Sequence, residues 1–156
     1  MPSYTLSSKV NQAHTEVLVI HCSDHRFQAG HYEFLNLALN LGENYDLLVL
    51  PGGAQALSLL EYLPKFAWAG WKWFRFLVDA HGLKRIILIA HQDCGWYKSL
   101  PHFLHSTADP RAKQEGDLRR IREVLLREHR ELSVELYYAA FDPALRDRIV
   151  MEAISN

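Results

Sequence analysis

Three short and almost wholly apolar runs constrain the fold of this chain more than any other feature of its sequence. They are VLVIHC at Val17–Cys22, DLLVL at Asp46–Leu50 and RIILIA at Arg85–Ala90. Runs this short, rich in leucine and β-branched residues and without regular polar positions, indicate strands that are buried on both faces. Strands of that kind belong to parallel sheets, which carry helices on each side.

Helical patterns fill the intervals between these strands. We predict helices over residues 31–41, 54–63 and 65–81, the first and last of which are followed directly by glycine. Glycine at that position is typical of a helix end, because it adopts the left-handed conformation without strain. Strands and helices that alternate in this way predict a sheet with right-handed crossover connections.

The last third of the chain continues the pattern. Asp117 is placed to cap a charged helix that extends to about Arg130, and Leu132–Ala140 has the composition of a fourth strand. Asp142 and Pro143 are the residue types of an N-cap and a first helical position, so we predict that a helix closes the chain. The whole pattern predicts an α/β protein with three α/β/α layers and a mainly parallel four-stranded sheet.

Length and composition fit one ordinary globular domain. The chain has 156 residues and no repeat or linker-like segment, so we predict a single domain over residues 1–156. Its 17 basic and 18 acidic residues leave a net charge of -1, which argues against binding to nucleic acid or to a membrane surface. The sequence has no membrane-spanning apolar stretch and no secretory pattern at the N-terminus, so we expect a cytoplasmic protein.

Reactive side chains follow two of the predicted strands. In parallel α/β sheets the functional crevice lies beyond the carboxyl ends of the strands. CSDHR begins at Cys22 and HQDCG begins at His91, each at such an end. Cys22, His91 and Cys94 are candidate metal ligands, with Asp24 as a candidate fourth ligand. Sulfur and imidazole ligands around one ion favour Zn2+.

The side chain of Asp24 decides what kind of zinc site this is. If it pairs with Arg26, the fourth coordination position is open, as in catalytic sites, whereas an Asp24 ligand closes the site. Two plainer interpretations stay open. In the first, Cys22 is an ordinary buried thiol that binds no metal. In the second, Asp24 and Arg26 form an ion pair with only a structural role.

Other residues near the two motifs have less specific roles. We expect His21 to point away from Cys22 on the opposite face of its strand, and His31 to lie on a helix surface. His25 is placed near the mouth of the site. The residues closest to the strand ends are candidates for the pocket lining: Phe27, Leu50, Gln55 and Trp96.

Taken together, the two motifs resemble those of the β-class carbonic anhydrases. CSDHR at residues 22–26 corresponds to the Cys-x-Asp-x-Arg element of that family, and HQDCG at residues 91–95 corresponds to its His-x-x-Cys-Gly element. The resemblance extends over roughly residues 17–96. It implies the fold of that family for this chain.

The resemblance also implies a zinc-dependent lyase. It places Zn2+ on Cys22, His91 and Cys94, and it pairs Asp24 with Arg26 so that the carboxylate stays off the metal in the active state. The implied reaction is the reversible hydration of carbon dioxide to bicarbonate by a zinc-bound hydroxide that Asp24 orients. The family works as a dimer or as a tetramer built from dimers.

Two of the departures from the family pattern lie in the loop after the second strand and at the end of the fourth. PGGAQ at residues 51–55 stands where the family has an Arg-Asn-Ala-Gly-Asn loop, and Phe141–Pro143 predicts a helix where the family has a hairpin. These departures leave two alternatives for the function. One is a zinc-binding protein with a structural or ligand-binding role and no appreciable turnover, and the other is a hydrolase of a small carbon–sulfur substrate.

The predicted helix over residues 65–81 is apolar on nearly all of its sides. A helix of that kind is buried, and a single domain of this size covers only one of its faces. We therefore expect the second face to contact another copy of the chain, in a homodimer or a higher homo-oligomer.

Overall fold

A five-stranded sheet forms the centre of the structure. The computed structural model describes residues 3–58, 64–100 and 109–155. The strands are β1 (Val17–Cys22), β2 (Asp46–Leu50), β3 (Arg85–His91), β4 (Ser133–Phe141) and β5 (Ile149–Ala153). The helices are α1 (His25–Glu33), which continues into a π-helical turn at Phe34–Ala38, then α2 (Gln55–Ser58), α3 (Pro64–His81), α4 (Gly95–Ser99) and α5 (Pro110–Glu128).

The strands lie in the order β2-β1-β3-β4-β5. β1 pairs in parallel with β2 and β3, and β3 pairs in parallel with β4. The four strands predicted from the sequence are therefore confirmed, as is their parallel arrangement. β5 is a fifth strand, antiparallel to β4, that was not predicted.

Each face of the sheet has its own hydrophobic core. On one face, alternate residues of β1 and β3 pack against α3 and α5, and the fully buried members include Leu18, Ile20, Ile86, Leu88, Phe74, Ile121 and Leu125. On the other face, the intervening strand residues pack against α1 and its π-helical turn: Val19, Ile87, Ile89, Phe27 and Leu35. Both faces are covered by helices, so the three-layer α/β/α architecture is confirmed.

The helix predicted to close the chain is wrong. The Asp142 carboxylate does accept the N–H groups of Ala144 and Leu145, as an N-cap would, but only a turn follows. The chain then reverses, and Ile149–Ala153 pairs with β4. An Asp-Pro pair starts turns as readily as helices. Here the exposed edge of β4 offers hydrogen bonds to the apolar residues that follow, so a hairpin forms.

The boundaries of two other helices differ from the prediction. α5 begins at Pro110 with Asp109 as its N-cap, so Asp117 lies inside the helix and is buried instead of capping it. α1 begins at His25, because the Asp24 side chain accepts the Arg26 N–H and caps the helix there. Of the predicted helix over residues 54–63, α2 is the described part, and residues 59–63 lie outside the described residues.

His31 is buried, and the prediction that it lies on a helix surface is wrong. It is only 1% exposed, and its ring lies 4.4 Å from that of His21. Neither of its ring nitrogens has a hydrogen-bond partner among the described residues. His31 follows the buried Phe27 by four positions and therefore lies on the same, inward face of α1. Burial, followed by the neighbouring histidines, lowers the pKa of His31 to about 3.

α3 has one buried and one exposed face. Trp71, Phe74 and Val78 lie in the core, and the Trp71 indole N–H donates to the Leu57 carbonyl over 3.1 Å. Trp68 and Phe76 are exposed by 64% and 66% on the other side. The prediction that one domain covers a single face of this helix agrees with that arrangement. Over the described residues, none of the helices combines the length and apolar character needed to cross a membrane.

The burial of His31 predicts a specific response to acid. Between about pH 6.5 and about pH 3 the unfolded chain binds a proton at this residue that the folded chain does not, so stability falls as the pH is lowered. The slope from this one group reaches about 1.4 kcal/mol per pH unit. His31→Leu removes this contribution. Urea-unfolding free energies measured from about pH 7 to about pH 5 should fall less steeply in the variant than in the wild type.

Other titrating groups affect both proteins alike, so the difference between the two slopes isolates His31. Equal slopes would contradict a buried neutral imidazole at this position. His14→Leu is the matched control, because it makes the same replacement at a histidine that is exposed.

Candidate metal centre

The two cysteines and one histidine singled out in the sequence come together at the carboxyl ends of β1 and β3. Cys22 and His91 are the last residues of those strands, and Cys94 immediately precedes α4. One ligand atom from each of the three residues lies within 4.8 Å of the others. All three are buried, with 5% exposure or less. Adjacent parallel strands place their carboxyl ends side by side, and this is why residues far apart in sequence meet here.

The imidazole of His91 is oriented so that one nitrogen faces the sulfurs with a free lone pair. Nδ1 lies 2.9 Å from the Gln92 carbonyl oxygen, which can only accept a hydrogen bond, so Nδ1 carries the proton. Nε2 is buried and has no hydrogen-bond partner among the described residues. The ring of Phe27 packs against the imidazole, with centroids 4.4 Å apart. A carbonyl that orients the far nitrogen is the usual support of a metal-binding histidine.

The two sulfurs are close but not bonded. Cys22 Sγ and Cys94 Sγ lie 3.9 Å apart, and both cysteines are free. The backbone N–H of Gly52 donates to Cys22 Sγ over 3.3 Å. A proton donated by Cys94 lowers the pKa of the Cys22 thiol, and the same contact together with burial raises the pKa of Cys94. The contact therefore favours the thiolate at Cys22 and the thiol at Cys94.

These donors fit a soft divalent cation. A bare imidazole nitrogen and two sulfurs converge in a buried site, where an unpartnered polar nitrogen costs free energy. A cation among them would satisfy the nitrogen and allow both sulfurs to ionise. Two thiolates and one imidazole are the ligand types that select Zn2+. The described residues hold no other group of three such side chains.

Asp24 lies beside this group and is paired with Arg26. The guanidinium donates to both carboxylate oxygens, over 3.0 Å from Nε to Oδ1 and 2.7 Å from Nη2 to Oδ2. These bonds hold the pKa of the Asp24 carboxyl well below its usual range. Arg26 also donates to the carboxylate of Asp93 over 3.1 Å, and this second contact restrains the guanidinium. Asp24 is not among the converging ligand atoms. Its arrangement is that of the open site, and coordination by Asp24 stays a prediction.

A cavity of about 300 Å³ opens next to Cys22 and the Asp24–Arg26 pair. It is lined by Cys22, Ser23, Asp24, His25, Arg26, Pro51, Gly95 and Trp96. Trp96 and His25 therefore stand where the sequence placed them. Phe27, Leu50 and Gln55, the other candidates for the lining, do not line it. Phe27 supports His91 from behind, and Gln55 is buried behind Trp96.

The PGGAQ loop brings its backbone close to Cys22. Gly52 and Gly53 both have positive φ, at 76° and 59°. A Cβ atom on Gly52 would lie 2.2 Å from Cδ1 of Trp96, and one on Gly53 would lie 3.1 Å from the backbone nitrogen of Cys22. Only glycine allows this approach. The loop thus contributes a backbone donor and no charged side chain to the site.

Sequence analysis missed the polar residues behind the site. Asp117, Gln55 and Tyr97 form a buried hydrogen-bonded group there. The sequence pattern did indicate that Asp117 is buried. It precedes the buried Ile121 and Leu125 by four and eight positions and so lies on the apolar face of α5. A charged residue on such a face needs a partner inside the protein.

The contact between Gly52 and Trp96 predicts an unusually costly glycine substitution. Gly52→Ala must displace the indole, and overpacking of this kind costs about 1–3 kcal/mol beyond the backbone strain. Gly42→Ala is the matched control, because Gly42 also has positive φ but nothing lies within 4 Å of its added Cβ. Urea unfolding should show the larger loss in Gly52→Ala. Equal losses in the two variants would contradict the contact.

We compared the sequence and the fold of this chain with those of known proteins. No family model matches the sequence, and no curated protein matches it. Several solved structures of β-carbonic anhydrases do match. CafA from the fungal pathogen Aspergillus fumigatus is 14% identical with a TM-score of 0.56, over 91% of this chain and 76% of that chain. The Streptococcus mutans carbonic anhydrase is 16% identical with a TM-score of 0.51, over 88% and 81%.

A tetrameric β-carbonic anhydrase from Sordaria macrospora is also similar. It is 16% identical with a TM-score of 0.50, and the match covers 91% of this chain and 83% of that chain. At such low identity the likeness shows the fold alone. The chain described here has the fold of the β-carbonic anhydrases, as its two motifs predicted.

Proposed function

We propose that this protein binds Zn2+ through Cys22, His91 and Cys94 and catalyses the reversible hydration of carbon dioxide to bicarbonate. The observation that carries the proposal is that one ligand atom from each of these three buried residues lies within 4.8 Å of the others, while His91 Nε2 has no hydrogen-bond partner among the described residues. The β-carbonic-anhydrase fold and the Asp24–Arg26 pair support the same reaction. Zn2+ held by these side chains supplies the Lewis acidity that yields a nucleophile from water near neutral pH.

The Asp24 carboxylate orients the reacting water by accepting a hydrogen bond from it. The ion pair with Arg26 keeps the carboxylate ionised, so it accepts hydrogen bonds and cannot donate them. A carboxylate fixed in this way selects a group that presents an O–H toward the cavity. Arg26 is itself restrained by Asp93, so the pair holds its orientation. The positioning function of Arg26 therefore acts through Asp24.

The cavity suits a small substrate and opens beside an exposed histidine. Its volume of about 300 Å³ is modest, and Pro51 and Trp96 give it an apolar wall next to the carboxylate. A small apolar molecule such as carbon dioxide fits a site of that character. The exposed imidazole of His25 lines the same cavity. It therefore lies between the cavity and the solvent.

One observation favours a second candidate function. The PGGAQ loop offers only backbone and apolar groups to the cavity, so it adds no side-chain donor for an anionic product. A zinc site without appreciable turnover would have the same ligands. Stopped-flow measurement of carbon dioxide hydration, on protein of confirmed zinc content, separates the two functions. A rate that rises from neutral to alkaline pH supports the enzyme, and no rate above the buffer supports the alternative.

The proposed role of Asp24 predicts a separation between metal content and turnover. Asp24→Asn should retain zinc and lose on the order of 100-fold or more in kcat, because an amide does not replace the ionised acceptor. Glu135→Gln is the matched control. It breaks a comparable pair with Arg85, which lies at the opposite ends of the strands. Metal analysis and stopped flow measure the two quantities.

Full turnover in Asp24→Asn would contradict the role of the carboxylate. Cys94→Ala gives the reverse comparison, since loss of a ligand should remove zinc and turnover together. Stoichiometric zinc in Cys94→Ala would contradict the ligand assignment.

We also propose that the exposed face of α3 contacts a second copy of the chain. Trp68, Trp73 and Phe76 are exposed by 64%, 47% and 66%, and they lie within an arc of about 140° on the helix. Large aromatic side chains grouped in this way are typical of interface cores. The similar Sordaria macrospora protein is described as tetrameric, which supports self-association here.

A substitution on this face should change the assembly and leave the fold intact. The double variant Trp68→Lys with Phe76→Lys places charges on the proposed interface without touching the buried face of α3. We expect sedimentation velocity to show a smaller species than the wild type. Leu145→Lys is the control, since Leu145 is exposed by 51% outside α3. An unchanged sedimentation coefficient in the double variant would contradict the interface.

A further inference from the structure

We infer that Asp117 is a positioning residue for the metal centre, acting through Gln55 on Trp96 and through Tyr97 on the helix that follows Cys94. This inference rests on the proposed function, because it assigns a support to the same site. It gives a role to Gln55, the last residue of the PGGAQ loop.

Asp117 is a buried carboxylate with three donors directed at it. Its side chain comes from the apolar face of α5, and the residue is only 8% exposed. The Tyr97 hydroxyl donates to Oδ2 over 3.1 Å, and the Gln55 amide donates to the same oxygen over 3.4 Å. The Lys113 ammonium pairs with the other oxygen. Lys113 balances the charge, which leaves Oδ2 to hold the two neutral donors.

Gln55 connects this carboxylate to the wall of the cavity. Its amide nitrogen faces Asp117, which only accepts, and its amide oxygen faces the indole N–H of Trp96, which only donates. Both ends of the amide are therefore assigned by their partners. Gln55 is 1% exposed, so the loss of either bond leaves a buried polar group unpaired.

The position of the Trp96 indole restrains Cys22 through the PGGAQ loop. The indole lies directly over Gly52, where an added Cβ would come within 2.2 Å of Cδ1. The N–H of Gly52 donates to Cys22 Sγ over 3.3 Å, so the position of the indole limits the direction of that bond. Trp96 also lines the cavity. Asp117 thus influences both the donor to one sulfur and the wall beside it.

Tyr97 gives Asp117 a second route to the site. Its ring packs with Cys22, Cys94 and Leu100 in one small buried cluster, while its hydroxyl is bonded to Asp117. Trp96 and Tyr97 are the second and third residues of α4, which begins immediately after Cys94. A carboxylate that holds both residues sets the orientation of α4 relative to the sulfur ligand. Partners bonded directly to a metal ligand typically change its affinity by about 10-fold to 100-fold, and Asp117, which acts through Gln55 and Tyr97, should have a smaller effect.

The test compares three single substitutions. Asp117→Asn weakens both routes, Gln55→Met breaks only the route through Trp96, and Glu115→Gln is the matched control. Glu115 lies on the same helix and pairs with Arg111 and Arg119 instead of with Gln55 or Tyr97. Each protein is assayed for zinc affinity by chelator competition, for the visible spectrum of its cobalt form, and for hydrogen exchange at the Trp96 indole. The Trp96→Phe variant assigns the indole signal.

We expect Asp117→Asn and Gln55→Met to lose several-fold, up to about 10-fold, in zinc affinity, to shift the cobalt spectrum and to exchange the Trp96 indole proton faster. Glu115→Gln should behave as the wild type does. If Asp117→Asn does not fold, Gln55→Met carries the test. Faster indole exchange with unchanged zinc affinity and cobalt spectrum would overturn the inference, because the network would then be only structural. Unchanged exchange would overturn it as well.

The readouts separate this inference from the proposed function. A wild-type protein that binds zinc but does not hydrate carbon dioxide contradicts the proposed reaction, while the loss of zinc affinity in Gln55→Met still supports the role of Asp117. Conversely, normal turnover and normal zinc affinity in both variants contradict the inference and leave the reaction supported.

Discussion

The parallel pairing of β1 with β3 is the constraint on which the rest of the structure depends. Residues 17–20 of β1 lie in register with residues 85–88 of β3, so the two strands end side by side. Cys22 and His91 meet at those ends, although they lie far apart in the sequence. The buried runs on both faces of the sheet stabilise this pairing. The geometry of the site therefore rests on the hydrophobic cores.

Charge around the site is arranged in two separate groups. The buried sulfurs and the His91 nitrogen form a group that could hold a cation, because a positive charge would offset the cost of burying two thiolates. Next to them, Asp24 already has its counterion in Arg26. The carboxylate is thus ionised without needing the metal. A site divided in this way can bind a metal and still keep a free acceptor for a substrate.

The loop after β2 and the helix after β3 support each other behind this site. Because Gly52 has no side chain, the Trp96 indole packs directly against it. Gln55 accepts a hydrogen bond from the indole N–H and donates one to Asp117. The loop thereby contributes geometry through its backbone and one amide instead of through charged side chains. The buried carboxylate of α5 extends the same network into the core on one face of the sheet. Packing and polar contacts consequently join three elements around the two cysteines.

The sequence by itself determined the four parallel strands, the α/β layers and the cysteine and histidine residues of the site. Each depends on local pattern or on the rule that parallel strands end at one edge. Only the tertiary structure decided the fifth strand, since an Asp-Pro pair fits a turn as well as a helix, and the free edge of β4 selected the hairpin. It also decided the burial of His31 and the role of Asp117. The caps at Asp24 and Asp109 bring both residues inside helices, and packing against the sheet buries the face that His31 shares with Phe27 and Asp117 shares with Ile121.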